Sequence, residues 1–418
     1  MFRDSERDLF SATAVCRYWR RTLIFTPNLW NNIICSKQAN GQVTAPRVRA
    51  YFERSGSVPV RVQIHARASR VLSSYTERIS RLEIFLDHSS DLVEIAEYLS
   101  KPAPLLETII LRARNWGQHT LVLPSRFFDT FLSSARTLSL HGVTLSPGPR
   151  KLSQLTRFTL ETFVISVTSA ILLDTLEQMP LLQVFEAKFD RADLQDPFPR
   201  DRVVTLPHLE EITITTNEHC LAPLASPILP GLRLPSARRV TMESIRAYGV
   251  PPTPILPLSF EERLPGLSAT PYALVVLDKN IIAIQFCGLC ESKLTLCINS
   301  FVHCAFTQVT FGGTPFGSVR RLHVCFRGSA VDSIFFIKIL RVMKGLEWLE
   351  MEWNTVWPLT CWIREGKQAE ICPALITLTV ADVDLDEAKR CVGDLEQVRE
   401  RAGVPIARVE VTSGIVIR

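Results

Sequence analysis

One short pattern recurs from residue 76 onward: an apolar residue, two others, an apolar residue, one other, and a third apolar residue. It is seen at Ile79-Leu82-Ile84, Leu106-Ile109-Leu111, Ala135-Leu138-Leu140, Leu155-Phe158-Leu160, Leu182-Phe185-Ala187, Leu209-Ile212-Ile214 and Ala237-Val240-Met242, then at Val319-Leu322-Val324, Leu346-Leu349-Met351 and Leu375-Leu378-Val380. Glu291-Leu294-Leu296 fits at two positions of three. The last members of successive triplets are separated by 27, 29, 20, 27, 27, 28, 54, 28, 27 and 29 residues. The step of 54 is two periods of 27, so one copy between Met242 and Leu296 has lost its pattern or drifted to Pro271-Leu274-Val276. An ordinary α/β domain also alternates strands and helices, but nothing in it requires a fixed period.

The alternating pair that ends each triplet predicts a short strand with one buried face, and the first apolar residue packs the turn that enters it. Between strands the period becomes helical. Ser90 is placed to cap Leu92-Ile95-Ala96-Leu99. Pro124 stands where a first helical turn tolerates proline before Phe127-Phe128-Phe131-Leu132, and Leu385-Ala388-Val392-Leu395-Val398 forms an apolar stripe that ends at Gly403. Each copy thus reads as strand, turn and helix. A unit of this size cannot bury its own apolar face, so copies stack, with parallel strands on one side and helices on the other.

Together these features resemble a leucine-rich repeat horseshoe. In that family the position three after the last strand residue is often Asn or Cys, bonded to turn backbone inside the stack. Here it is Asn217, Asn299 and Asn354, with Asp87 and Asp190 as stand-ins. Most copies lack it, and Ala135, Ala187 and Ala237 occupy triplet positions, so the array is irregular. The fold class expected is α/β: an irregular leucine-rich repeat solenoid over residues 76–418.

Residues 1–75 lie outside the repeat. In DLFSATAVCRYWRRTLIF, Leu9-Ala12-Cys16 and Val15-Trp19-Leu23 fall at helical spacing, which predicts one or two short helices that bury Trp19 and leave the arginines wet. Thr26-Pro27 ends them, and Leu29-Trp30 folds an indole back onto the bundle. The string Asp8, Leu9, Ala12, Val15, Cys16, Arg17, Trp19, Arg20, Arg21, then Thr26, Pro27, Leu29 and Trp30, resembles the second half of an F-box, in wording typical of fungal F-box proteins with leucine-rich repeats. The domains expected are a helical partial F-box over 1–35, a basic linker or cap over 36–75, and the solenoid.

That resemblance implies a non-catalytic adaptor. Its F-box would dock on the adaptor subunit of an SCF-type cullin ubiquitin ligase through Leu9, Val15, Cys16, Trp19, Pro27, Leu29 and Trp30, and its repeats would hold a protein substrate. The Leu-Pro-x-Glu-like segment and first helix that open an F-box are not among the seven residues before Asp8. Either they lie upstream of Met1, or part of the docking surface has been lost. Alternation places Thr213, Glu350 and Thr379 between the apolar strand positions, on the face where the substrate is expected. The alternative is a ligase-independent scaffold whose N-terminal helices only cap the array.

Composition narrows the partners. The net charge of +5 is unevenly placed, for residues 1–81 hold 14 Lys/Arg against 5 Asp/Glu, leaving 33 against 37 for the rest. A solvated, arginine-rich surface accounts for this, and nucleic acid is not the expected partner. The most apolar stretch, from Ala273, is interrupted by Asp278 and Lys279 and is too short on either side to span a bilayer, so no membrane partner is expected. MFRDSERDLF reads as neither a signal peptide nor a transit peptide. Eleven irregularly spaced cysteines then fit reduced, mostly buried thiols in the cytoplasm or nucleus.

Catalytic strings are absent: there is no G-x-x-x-x-G-K-[ST], G-x-G-x-x-G, G-x-S-x-G or H-E-x-x-H, and no enzyme activity or cofactor is expected. TFGGTPFG, residues 310–317, lacks the Lys-Ser/Thr of a phosphate loop and reads as a turn before the strand at Leu322. Cys287, Cys290, Cys297, His303 and Cys304 have zinc-like spacing, but Leu294 and Leu296 place a strand in their midst, with Cys297 on the opposite face from those leucines. No metal is expected there.

Overall fold

The computed structural model describes residues 6–34, 45–99, 101–113, 121–123, 134–145, 152–162, 169–189, 202–216, 231–244, 272–277, 281–287, 293–299, 319–326, 333–353, 355–365, 370–382 and 384–413. Two compact units make up the chain, Met1–Leu182 and Gln183–Arg418.

The first unit contains helices α1 (Glu6–Val15), α2 (Arg17–Ile24), α3 (Ala45–Arg54), α4 (Ser89–Tyr98) and α5 (Ser169–Glu177). Its strands are β1 (Asn32–Ile34), β2 (Val60–His65), β3 (Ile79–Leu86), β4 (Thr108–Ala113), β5 (Leu121–Leu123), β6 (Thr137–His141), β7 (Val143–Leu145) and β8 (Arg157–Thr162). Six lie side by side in the order β1-β2-β3-β4-β6-β8, all parallel, while β5 and β7 form a separate parallel pair.

The register explains the triplets. Leu82 faces Ile109, which faces Leu138, which faces Phe158, and the row two residues on runs Ile84, Leu111, Leu140, Leu160. All eight side chains are at most 2% exposed, so each row is a continuous apolar seam across four strands. The first triplet residues Ile79, Leu106, Ala135 and Leu155 are equally buried below the turns. Each fully buried Leu or Phe contributes about 1.5–3 kcal/mol relative to exposure.

Part of the segment expected as a basic linker or cap, residues 36–75, pairs with the strands of this unit. Helix α3 buries Val48, Tyr51 and Phe52, and β2 extends the rows through Val62 opposite Leu82 and Ile64 opposite Ile84, with Ile33 of β1 beyond Val62. The sequence pattern hid β2 because Pro59 stands where the triplet has its first apolar residue. Arg78 joins these pieces: its guanidinium donates to the carbonyls of Phe52 (2.9 Å) and Val58 (3.1 Å) and to the Ser55 hydroxyl (2.6 Å).

Helix α4 begins one residue before the expected Ser90 cap. Asp91 at its third position accepts the backbone N–H groups of Asp87 (2.7 Å) and His88 (3.0 Å), so His88 is the cap residue, and Leu92, Ile95, Ala96 and Leu99 are buried as expected. The helix expected after Pro124 lies outside the described residues.

The second unit holds β9 (Val184–Phe189), β10 (Val204–Thr205), β11 (Glu211–Thr216), β12 (Leu232–Arg233), β13 (Arg239–Ser244), β14 (Tyr272–Leu277), β15 (Ile281–Cys287), β16 (Lys293–Asn299), β17 (Arg321–Phe326), β18 (Trp348–Trp353), β19 (Thr377–Asp382) and β20 (Arg408–Ser413). Its helices are α6 (Ser333–Val342), α7 (Val356–Glu365) and α8 (Leu385–Arg401). Ten strands run in the order β9-β11-β13-β16-β15-β14-β17-β18-β19-β20, parallel except for β15, and β10 pairs with β12.

The missing period is explained by β15. It runs antiparallel to both neighbours, and the chain meanders from β14 beside β17 back to β16 beside β13. The register opposite Leu322 and Val324 is held by Ala273 and Val275, not by Leu274 and Val276 as the drifted triplet required, because a one-residue shift moves every side chain to the other face. At the far edge, Ile406-Val409-Val411 is a further triplet: Val409 faces Leu378 and Val411 faces Val380.

Helices α6, α7 and α8 pack in sequence beside these last strands. The Phe336 ring meets Trp362 edge-on at 6.4 Å, and Arg399, wholly buried on α8, lies 5.7 Å from the Trp362 ring centre. Arg399 donates to the carbonyls of Ile371 (2.9 Å) and Cys372 (3.0 Å), and burial lowers its pKa below the ordinary guanidinium value. Helix α8 carries the expected stripe and closes with a Schellman arrangement. Val404 N–H reaches the Arg399 carbonyl, Gly403 N–H reaches Glu400, and Gly403 adopts φ +74°.

Candidate docking surface

The N-terminal helices are built from local signals. The chain breaks at Cys16, which is extended (φ −156°, ψ 170°) and caps α2 by accepting the Trp19 N–H at its sulfur, 3.5 Å away. Arg20 turns back to the Thr13 carbonyl at the end of α1, with Nε 2.9 Å from it. Helix α2 stops at Ile24, where Thr26 Oγ1 donates to the Thr22 carbonyl (2.6 Å), and Pro27–Leu29 forms a 3₁₀ turn. The end at Thr26-Pro27 follows from the missing N–H of proline.

That turn delivers Trp30 to the interior. The indole is fully buried, donates from Nε1 to the Leu23 carbonyl at 2.7 Å, meets Tyr51 of α3 edge-on at 5.3 Å and lies 4.3 Å beneath the Arg54 guanidinium. Trp30 is therefore an anchor and not, as the F-box resemblance implied, a residue that a partner touches.

Trp19 behaves oppositely. It was expected to be buried with Val15 and Leu23, but the break at Cys16 puts Val15 on a different helix, and only Leu23 is buried. Val15 is 69% exposed, Tyr18 77%, Trp19 45%, Phe25 75% and Leu29 36%. Cys16, Pro27, Arg17, Arg20 and Arg21 are exposed beside them. The side chain of Leu9 lies outside the described residues. The sequence spacing did not point to Tyr18 and Phe25, which join the surface because the helix pair is too short to cover them.

The positions proposed for substrate lie on the polar side of the strands, and all three are half-buried. Glu350 and Thr379 are direct register partners, flanked by His323 and Glu410 in the same row. Thr213 belongs to another row segment, opposite Glu186 and Thr241, with five strands between β11 and β18. In the first unit this polar side is filled by cross-strand pairs: Arg112 with Glu83 and His141 with Glu161, each at 2.7 Å.

The zinc-like cysteines are not brought together by the strands. Cys287 is opposite Lys293 and Cys297 opposite Ala283, which separates the two by four rows, about 13 Å along the strand. Cys290, His303, Cys304 and the glycine-rich 310–317 lie outside the described residues, as do Asn217, Asn354 and Asp190. Among described residues, His323, Cys325 and Glu352 do converge, a cluster the sequence reading missed.

Compared with known proteins, the chain matches no protein-family model, and no curated protein is significantly similar to it. Among the described residues, no helix is long and apolar enough to cross a membrane.

Proposed function

We propose that this protein is a substrate-recognition adaptor of an SCF-type cullin ubiquitin ligase. Helices α1 and α2 with the turn after them dock on the ligase's adaptor subunit, and the parallel strands, read as an irregular leucine-rich repeat solenoid, hold a protein substrate along their polar side. The observation that carries the reading is the group of large apolar side chains left exposed at Val15, Tyr18, Trp19, Phe25 and Leu29, held in place by the buried Trp30. A patch of this kind, edged by arginines, suits a partner with an apolar groove and an acidic rim. Support for the repeat reading comes from the in-register rows and the recurring triplet.

The mechanism requires no catalytic group on this chain. Holding a substrate beside a ubiquitin-charged enzyme raises its effective concentration, and rate follows from proximity. A cytoplasmic or nuclear setting suits Cys16, Cys325, Cys361, Cys372 and Cys391, which carry thiols and not disulfides.

Co-purification of the full chain with the SCF adaptor subunit tests the proposal. Wild-type chain should retain the subunit, and Trp19→Ser with Leu29→Ser should release it while leaving the circular dichroism spectrum unchanged. Failure of folded wild-type chain to retain the subunit would favour the ligase-independent scaffold, in which α1 and α2 serve only the fold.

A further inference from the structure

On the polar side of the second unit, three side chains with metal-ligating atoms meet at one point. His323 and Cys325 are two residues apart on β17 and so share a face, and Glu352 of β18 is the register partner of Cys325. His323 Nε2 lies 3.2 Å from Glu352 Oε1 and 3.5 Å from Cys325 Sγ, and Cys325 Sγ lies 3.5 Å from Glu352 Oε2. We infer that His323, Cys325 and Glu352 form a binding site for a zinc ion, with a fourth position open to water or to an incoming ligand.

Three physical arguments carry this. The first is size: zinc bonds of about 2.3 Å to sulfur and about 2.0–2.1 Å to nitrogen or oxygen give tetrahedral edges near ~3.5 Å for S···N and S···O and near ~3.3 Å for N···O. The Sγ–Nε2 edge of 3.5 Å and the Nε2–Oε1 edge of 3.2 Å have these lengths, while Sγ meets the other carboxylate oxygen, Oε2, at 3.5 Å, and one ligating atom from each residue lies within 4.8 Å of the other two. The second is direction, because an imidazole nitrogen has one bonding axis, and Nε2 here is approached by both the thiol and the carboxylate. A relay of the Cys-His-acid kind would place thiol and acid on opposite ring nitrogens, whereas both lie at Nε2 here, an arrangement that suits a cation between the three side chains.

The third is charge. Glu352 and Cys325 are both buried, at 8% and 6% exposure, and no Lys or Arg is paired with Glu352 among the described residues. Without metal the Cys325 thiol donates to Glu352; as a zinc ligand it would be a thiolate, and the divalent cation would offset its repulsion with the carboxylate out of water. The mixed sulfur, nitrogen and oxygen set selects zinc over magnesium or calcium. His323 is the more open member, its side chain 20% exposed, so the free coordination position faces outward. In the same row stands Glu350, one of the residues proposed to meet substrate. The site rests on its own geometry and stands or falls separately from the adaptor reading.

The experiment is metal analysis of the purified full chain after loading with zinc and exhaustive dialysis, followed by exchange with cobalt as a spectroscopic probe. Wild-type chain should hold about one zinc per molecule and give, with cobalt, a thiolate charge-transfer band and intense tetrahedral visible bands. Cys325→Ser should abolish the charge-transfer band, and Glu352→Gln should lower zinc content below roughly a tenth of an equivalent after the same dialysis. Cys287→Ser with Cys297→Ser should change neither. Less than roughly a tenth of an equivalent in folded wild type would overturn the site and leave a hydrogen-bonded triad. A cobalt spectrum that survives Cys325→Ser and vanishes in the Cys287→Ser, Cys297→Ser variant would equally overturn it, placing the metal elsewhere. Should Cys325→Ser misfold, Glu352→Gln and the wild-type spectrum decide.

Discussion

The N-terminal helix pair and the parallel strands send their apolar side chains in opposite directions. Along a strand, the two-residue period and the register with both neighbours put Leu82, Ile109, Leu138 and Phe158 into one dry row, with no local freedom to do otherwise. In α1 and α2 the chain restarts at Cys16, one helix is ten residues long and the other eight, and Tyr18, Trp19 and Phe25 stay in water. Trp19 and Trp30 stand eleven positions apart in one arginine-rich segment, one 45% exposed and the other not exposed at all. The contrast teaches that a tryptophan near a capping element is not core by virtue of its type. An aromatic held outside by a well-anchored turn is available to a partner.

The largest effects should come from breaking the buried side of this contrast. Trp30→Ala removes the indole, its bond to Leu23 and its contacts with Tyr51 and Arg54, and should cost about 3–5 kcal/mol in urea unfolding of the first unit. Arg399→Ala leaves the Ile371 and Cys372 carbonyls without their donors and should lower the stability of the second unit by about 2–4 kcal/mol.

Next in size is an alkaline effect. Burial pushes the Cys372 thiol from 9.0 up to about 12, against the opposing charge of Arg399. The folded protein keeps this proton where the unfolded chain has lost it, so the stability of the second unit should hold level below pH 9.0 and fall as pH rises towards 12. Cys372→Ala should flatten that decline in denaturation midpoints measured across the alkaline range. In native chain, Cys372 should resist alkylation while Cys16, which is exposed, reacts.

Gly142→Ala tests a single turn. Gly142 adopts φ +67°, and a Cβ there would lie 2.9 Å from that of Ala113, so the substitution should cost about 1–2 kcal/mol from the backbone alone. The smallest stability change belongs to the exposed side: Trp19→Ser should lower the free energy of unfolding by no more than about 0.5 kcal/mol.

How far the fold was legible follows from the same physics. Triplets from Ile79 to Val380 marked their strands, since burial of one face every second residue leaves an unmistakable period. Strand β2 escaped because Pro59 replaces the first triplet member, and β20 because its step from Val380 is longer than the period. The reversal at β15 was invisible, for chain direction leaves no trace in hydrophobic spacing. In the helix pair, the capping role of Cys16 decides the fate of Trp19, and a cysteine cap is a weak sequence signal. The His323, Cys325 and Glu352 cluster was missed because Glu352 comes within reach only through strand register, 27 residues after Cys325. His-x-Cys on one face of a strand was the available clue.

The most direct test of the adaptor account is the affinity of the full chain for the SCF adaptor subunit, measured by titration calorimetry on wild type and Trp19→Ser beside their urea midpoints. The account predicts saturable binding by wild type, a dissociation constant raised at least about tenfold in Trp19→Ser, equivalent to about 1.4 kcal/mol, and matching midpoints. Equal affinities for the two proteins, or no heat of binding from folded wild type, would contradict it.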